Sequence, residues 1–192
     1  VGGNTICSLF PLFQQQIKFY LQLSENVMRK TVIGVMGPGN GATTDNLESA
    51  YELGKYIAQE GWILLTGGRN VGVMDAASRG AKEANGIAIG ILPDESEGGV
   101  SEAVDIAIFT GMGNARNNIN VLSSHAIVAC GIGTGTTSEI ALALKADKPV
   151  ILLNKDETCR FFFQKLSKER MAIAETPEHA IEVTKRFLAA SR

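Results

Sequence analysis

Residues 31–66 read TVIGVMGPGNGATTDNLESAYELGKYIAQEGWILLT, and this stretch decides the fold. It opens on an apolar run, Thr31 to Met36, and passes through a glycine-rich turn, Gly37-Pro38-Gly39-Asn40-Gly41-Ala42-Thr43-Thr44. Leu47, Ala50, Tyr51, Gly54, Ile57 and Ala58 then recur at the three- and four-residue spacing of a helix with one apolar face. Gly61 stops that helix, and Trp62 to Thr66 forms a second apolar run. Strand, turn, helix and strand in this order predict a βαβ unit with parallel strands.

The same alternation continues to the end of the chain. A second helix is expected from Val71 to Asn85, stopped by Gly86, and a third strand from Ile87 to Leu92. Pro93 to Ala103, acidic and glycine-containing, reads as a loop. Further strands are expected at Val104–Phe109, Ala126–Cys130, Pro149–Leu153 and, as a short seventh, Met171–Ala174. The helices between and after them are read at about Asn114–Ser123, Thr136–Ala146 and Pro177–Ala190. Several strands are apolar on both faces, as in sheets buried between helices. The expected fold class is therefore α/β: a Rossmann-like three-layer sandwich, with a mostly parallel sheet of six or seven strands and helices on both faces.

The chain has 192 residues, enough for one domain with a core that needs neither disulfides nor metal. The domain is placed at 28–192. Residues 1–27 differ in composition and read as an N-terminal extension outside the core fold. A net charge of −2 gives no reason to expect nucleic-acid or membrane-surface binding. No apolar stretch has the length of a membrane span. Cys7, Cys130 and Cys159 are scattered in no metal-ligand pattern, so no metal site is expected; reduced thiols and a cytoplasmic setting are the simplest reading. Cys130 ends an apolar strand and reads as core, and neither His125 nor His179 has a partner that suggests catalysis.

Glycine is the compositional outlier, with 21 residues clustered after strands. Besides the turn at Gly37, Gly39, Asn40 and Gly41, a second loop runs Thr66-Gly67-Gly68-Arg69-Asn70-Val71-Gly72-Val73-Met74. A third runs Gly131-Ile132-Gly133-Thr134-Gly135-Thr136-Thr137-Ser138-Glu139. Three such strand-to-helix turns predict an anion site, because helix N-termini there offer free N–H groups and the positive end of the helix dipole. None closes with Gly-Lys-Ser/Thr, which excludes a P-loop. Position 42 is Ala in Gly37-x-Gly39-x-x-Ala42, and no acid follows the second strand to hold a ribose, so nicotinamide chemistry is not expected. Arg69 is read either as a phosphate donor or as a solvated loop residue. Thr136-x-x-Glu139 also has the form of a capping box, as does Asp45-x-x-Glu48, so composition alone leaves Glu139 open between cap and ligand.

Gly133-x-Gly135-Thr136-x-x-Glu139 after a strand resembles the PGGxGTxxE signature of the LONELY GUY-type phosphoribohydrolases, formerly labelled lysine decarboxylases. Gly67-Gly68-x-x-x-Gly72-x-Met74 is similar to the other marker of that superfamily. In length and wording the chain looks most like the branch of the molybdenum-cofactor carrier proteins, which place an Arg-Asn pair where Arg116-Asn117 stands here. The resemblance covers about residues 31–190. It implies a nucleotide-like phosphorylated ligand, either a nucleotide or a pterin such as the molybdenum cofactor. The phosphate would rest on Gly133, Thr134, Gly135 and Thr136, and a homo-oligomer, dimer or tetramer, is implied. For the hydrolase branch it implies Arg116 and Glu139 as the residues acting on the ribose–base bond of a nucleoside 5′-monophosphate, with no cofactor required. Two departures weaken the hydrolase side: Gly131-Ile132 replaces the opening Pro-Gly, and Ala115 and Asn117 replace the Glu and Lys that flank the arginine. The expectation is thus a binding or carrier protein, with N-glycosidic hydrolysis as the alternative. No lysine matches a pyridoxal-dependent decarboxylase motif.

Overall fold

The computed structural model describes residues 29–154, 156–167 and 169–190. The reading of residues 1–27 as an extension, and Cys7 with it, lies outside the described residues.

Seven strands form one sheet: β1 (Val32–Met36), β2 (Ile63–Thr66), β3 (Ile87–Leu92), β4 (Ile106–Phe109), β5 (Ala126–Cys130), β6 (Val150–Leu153) and β7 (Met171–Ile173). Their spatial order is β4-β3-β2-β1-β5-β6-β7. Every pair is parallel, so the sheet is wholly rather than mostly parallel. The helices are α1 (Thr44–Gln59), α2 (Gly72–Glu83), α3 (Asn117–Ser123), α4 (Thr134–Lys145), α5 (Glu157–Leu166) and α6 (Pro177–Ala190).

Period-two alternation divides each central strand between two cores. Ile33 and Val35 of β1, with Ala126, Val128 and Cys130 of β5, pack with Leu53 and Ile57 of α1, Ala77 of α2 and Ile181 of α6. Met36, Ile127 and Ala129 face the other way, against Val121 of α3, Ile140 and Ala143 of α4 and Phe163 of α5. This is the three-layer sandwich expected from the sequence. On the outermost strand at the β4 edge, Ile106 and Ile108 are exposed, with no helix among the described residues covering them.

Glycine sets the spacing of one helix pair. A Cβ on Gly54 would lie 1.9 Å from the Ala77 carbonyl oxygen, and one on Gly80 would lie 1.9 Å from that of Tyr51. The backbones of α1 and α2 touch through these two positions, and neither can yield without separating the helices. Gly80→Ala is therefore expected to cost about 2 kcal/mol or more through overpacking, despite its better helix propensity. Urea unfolding of the two proteins measures it; equal midpoints would refute the close approach.

Several boundaries differ from the sequence reading. α4 begins at Thr134, two residues early, so the third glycine loop supplies its first turn. A 3₁₀ turn, Gly113–Arg116, precedes α3. The fourth strand starts at Ile106 rather than Val104. α1 is capped by Thr43, whose side chain accepts from the Asn46 N–H while Asn46 answers to the Thr43 N–H, so the capping box is not Asp45-x-x-Glu48. At the end of α2 the left-handed residue is Asn85 (φ 56°), and Gly86 instead packs against Ala58. The N–H groups of Asn85 and Gly86 reach back to Lys82 and Ala81, which closes the helix in a Schellman turn.

Candidate functional site

The strand order reverses at the centre of the sheet. From β1 the chain winds outward to β4; from β5 it winds to β7 in the opposite direction. The loops leaving β1 and β5 therefore diverge to opposite faces and open a crevice between them, the usual ligand position in such sheets. A cleft of about 370 Å³ lies there. Of the sequence-predicted residues it gathers Gly37, Gly39, Gly41, Gly67, Met74, Arg116, Asn117, Gly133, Thr134, Gly135, Thr136 and Glu139.

Four predicted residues are not in its walls. Arg69 forms an exposed ion pair with Asp94 at 2.7 Å and does not line the cleft, although its charge lies near enough to act on Arg116. Gly68 (φ 76°) packs against Gly90 and Leu92. Gly72 (φ 59°) sits where a Cβ would meet the carbonyl oxygens of Pro38 and Gly39 at 2.3 Å, so it joins the first two loops. Asn40 is exposed beside the cleft.

The first turn of α4 forms one wall. Gly133 is its N-cap and supplies no side-chain cap. Thr137 donates to the Gly133 carbonyl, which leaves the N–H groups of Thr134, Gly135 and Thr136 without intrahelical acceptors. The Thr136 hydroxyl is buried without a hydrogen-bond partner. Thr136 is the third helical residue, so the Thr136–Glu139 capping box does not form. The turn is held from outside: Asn117 donates to Ser138 Oγ at 2.7 Å, and Ser138 donates to the Gly135 carbonyl at 2.8 Å.

Arg116 reaches the opposite wall at the end of the 3₁₀ turn. Its Nη1 donates to the Ile91 carbonyl at 2.8 Å, while its Nε is buried and unpartnered. A Cβ on Gly67 would lie 2.5 Å from Nη1 and 2.7 Å from Nη2, so that glycine makes the space the guanidinium fills. Burial pushes the Arg116 pKa down, partly offset by the charge of Glu139; an arginine nevertheless stays protonated.

Glu139 is 7% exposed and bound by a residue not singled out in the sequence: Asn120, wholly buried, donates from Nδ2 to Oε1 at 2.8 Å. Asn120 lies four residues after Arg116, but its partner Glu139 is on another helix, so that spacing does not reveal the pairing. Burial raises the Glu139 pKa, and the Asn120 hydrogen bond and the Arg116 charge oppose the rise. A carboxyl whose folded pKa lies above its unfolded value favours the protonated fold. Stability is full below the unfolded pKa, about 4.3, and is lost as pH rises from there through the folded value. Glu139→Gln is thus expected to be more stable than the parent at neutral pH, with the gap closing near pH 4. Thermal melts across that range check it; a gap that widens on acidification would refute it.

Other reactive groups are occupied elsewhere. Burial pushes the Cys130 thiol up to about 12, and its Sγ donates to the Asn46 carbonyl. His125 Nδ1 accepts from the Val32 N–H, and His179 Nδ1 accepts from the Glu175 N–H. In the consecutive run Phe161-Phe162-Phe163, Phe163 is core while Phe161 and Phe162 are exposed. Among the described residues no cluster of His, Cys, Asp or Glu is placed to hold a metal, and no helix is long and apolar enough to cross a membrane.

Fold and cleft together define a Rossmann-like protein with an uncapped helix N-terminus, a buried arginine and a buried carboxylate around one crevice. Residues 30–181 match the sequence model of the SLOG cluster4 family, and the chain belongs to that family. Its fold is similar to the molybdenum cofactor binding protein of the phototrophic bacterium Rippkaea orientalis, at 61% identity and TM-score 0.83, covering 84% of this chain and 99% of that one. It is also similar to the Moco carrier protein of Chlamydomonas reinhardtii, at 51% identity and TM-score 0.80 over the same shares. An uncharacterized protein of Archaeoglobus fulgidus is 40% identical over 154 residues, 80% of this chain and 94% of its own length.

Proposed function

We propose that this chain binds and carries a phosphorylated pterin, the molybdenum cofactor, with the phosphate on the first turn of α4. One observation carries the reading. Cβ atoms on Gly41 and Gly135 would meet nothing within 4 Å, and one on Gly133 would make only ordinary contact with Pro38. None of the three has a positive φ, so neither backbone conformation nor packing requires glycine there. All three line the cleft. A side chain at any of them would take up space in the cleft, which supports a ligand there as the reason for glycine. At Gly135 that choice opposes helix propensity by about 1 kcal/mol.

The donor set suits a phosphate. Three free N–H groups and the Thr136 hydroxyl converge near the positive end of α4, and the unpartnered Arg116 Nε adds a cationic donor. The similarity to two carrier proteins supports the same reading. The alternative, hydrolysis of a nucleoside 5′-monophosphate, is favoured by the presence of Arg116 and Glu139 in the same cleft. A carboxylate there would stabilise the cationic ribose as the N-glycosidic bond breaks, and orient water.

The two separate in one experiment. The protein is incubated with isolated cofactor, desalted, and assayed for retained molybdenum and pterin; in parallel it receives a panel of nucleoside 5′-monophosphates and free base is measured. Retention of cofactor without base release is expected. Base release that Glu139→Gln abolishes, with no cofactor retained, would replace the carrier reading by the hydrolase.

A further inference from the structure

Beside the phosphate cleft lies a larger cavity of about 610 Å³, and the two share Gly41 and Ile132 as walls. It opens between the N-terminus of α1 and the carboxyl end of β6. Its volume suits a bicyclic ring with its substituents. Nothing in the phosphate reading uses it.

Its polar groups differ in kind from those of the cleft. Arg160 is tied down: its Nε donates to the Asn154 carbonyl at 2.5 Å, and its Nη2 pairs with Glu175 at 3.1 Å. The carboxylate of Asp156 caps α5 through the Cys159 N–H. With Glu48 and Glu175 also in its walls, the cavity is acidic and would repel a second phosphate. One donor stands apart. Asn154 Oδ1 accepts from the Asp156 N–H at 3.2 Å, which fixes the orientation of the amide, and Nδ2 is buried without a partner. An unpaired buried donor costs about 1–3 kcal/mol, so a ligand acceptor placed there gains more than one placed against solvated groups.

One buried donor among carboxylate acceptors is complementary to a ring edge that presents a carbonyl oxygen beside N–H groups. We infer that this cavity seats the heterocycle of the ligand whose phosphate lies in the cleft. Asn154 Nδ2 donates to the ring carbonyl and Glu48 accepts from the adjacent ring or amino N–H. The inference rests on the phosphate reading, and assigns Asn154 and Glu48 as specificity residues for an amino-oxo ring of the pterin or guanine type.

Two probes test it: a pterin monophosphorylated on its C6 side chain, followed by its fluorescence, and ribose 5-phosphate, which has no ring base. The parent is expected to bind the pterin at least tenfold more tightly. Asn154→Ala and Glu48→Gln should each weaken the pterin about tenfold and leave ribose 5-phosphate within twofold. Asn154→Asp keeps the acceptor for the Asp156 N–H but removes the donor, so it should lose the same preference while melting like the parent. If ribose 5-phosphate binds in a Gly135-dependent manner and the pterin shows no advantage, or the Asn154 and Glu48 variants leave that advantage intact, the ring seat is wrong and the phosphate cleft stands. If neither probe binds, or Gly135→Val leaves both unchanged, the phosphate reading falls and the ring seat with it.

Discussion

Gly135→Val is expected to fold like the parent and to lose at least a hundredfold in affinity for the phosphorylated ligand. A Cβ at this position meets no protein atom within 4 Å, so the substitution introduces no internal clash. It also replaces a helical glycine, whose unfolded chain is the more flexible, so the melting temperature should not fall. Gly135 lines the cleft, so the isopropyl group would add bulk beside the N–H groups of the first turn of α4. A phosphate held there would lose both its space and several charge-assisted hydrogen bonds, each worth more than a neutral one. Calorimetric titration with cofactor, alongside a thermal melt, measures both halves. Unchanged affinity in a folded variant would show that the cradle is not the site. The contrast is Gly72→Ala, where positive φ and two carbonyl oxygens at 2.3 Å predict lost stability instead.

The second large effect is expected at Asn120. Removing its amide would leave the Glu139 carboxylate buried without its hydrogen-bond donor and open a cavity beside Met36. Asn120→Ala should cost about 3 kcal/mol at neutral pH, in the range for breaking a buried charged interaction. The loss should shrink on acidification, because a protonated Glu139 needs no charge-stabilising partner. Adding Glu139→Leu should recover part of it by removing the carboxylate. Denaturant unfolding of the single and double variants gives the coupling directly. Additive losses would mean that Asn120 matters only for packing.

Both predictions concern residues whose meaning is differently legible in the sequence. The apolar runs of β1, β2 and β5, the helical spacing around Leu53 and the glycine turns between them are local patterns, and local patterns are enough to give a βαβ architecture. The cleft positions of Arg116, Glu139 and the glycine loop at the start of α4 were legible through resemblance, because the spacing along one loop and one helix start is itself a sequence property. Asn120 was not, since its role depends on α3 lying against α4 so that two buried side chains meet. Arg69, which the sequence leaves open between a phosphate donor and a solvated loop residue, likewise depends on a distant residue: Asp94, 25 residues on, pairs with it.

By itself, then, the sequence determined a parallel α/β sheet and a set of glycine-rich turns at its carboxyl edge. Only the tertiary structure divided those glycines into two kinds. Gly54, Gly72 and Gly80 are required by backbone passing within a Cβ of them, whereas in the cleft wall Gly41 and Gly135 face open space and Gly133 would make only ordinary contact with Pro38. The physical reason is that a missing side chain is the same absence in every sequence. What it leaves room for, a neighbouring strand of backbone or a ligand, is set by atoms distant along the chain.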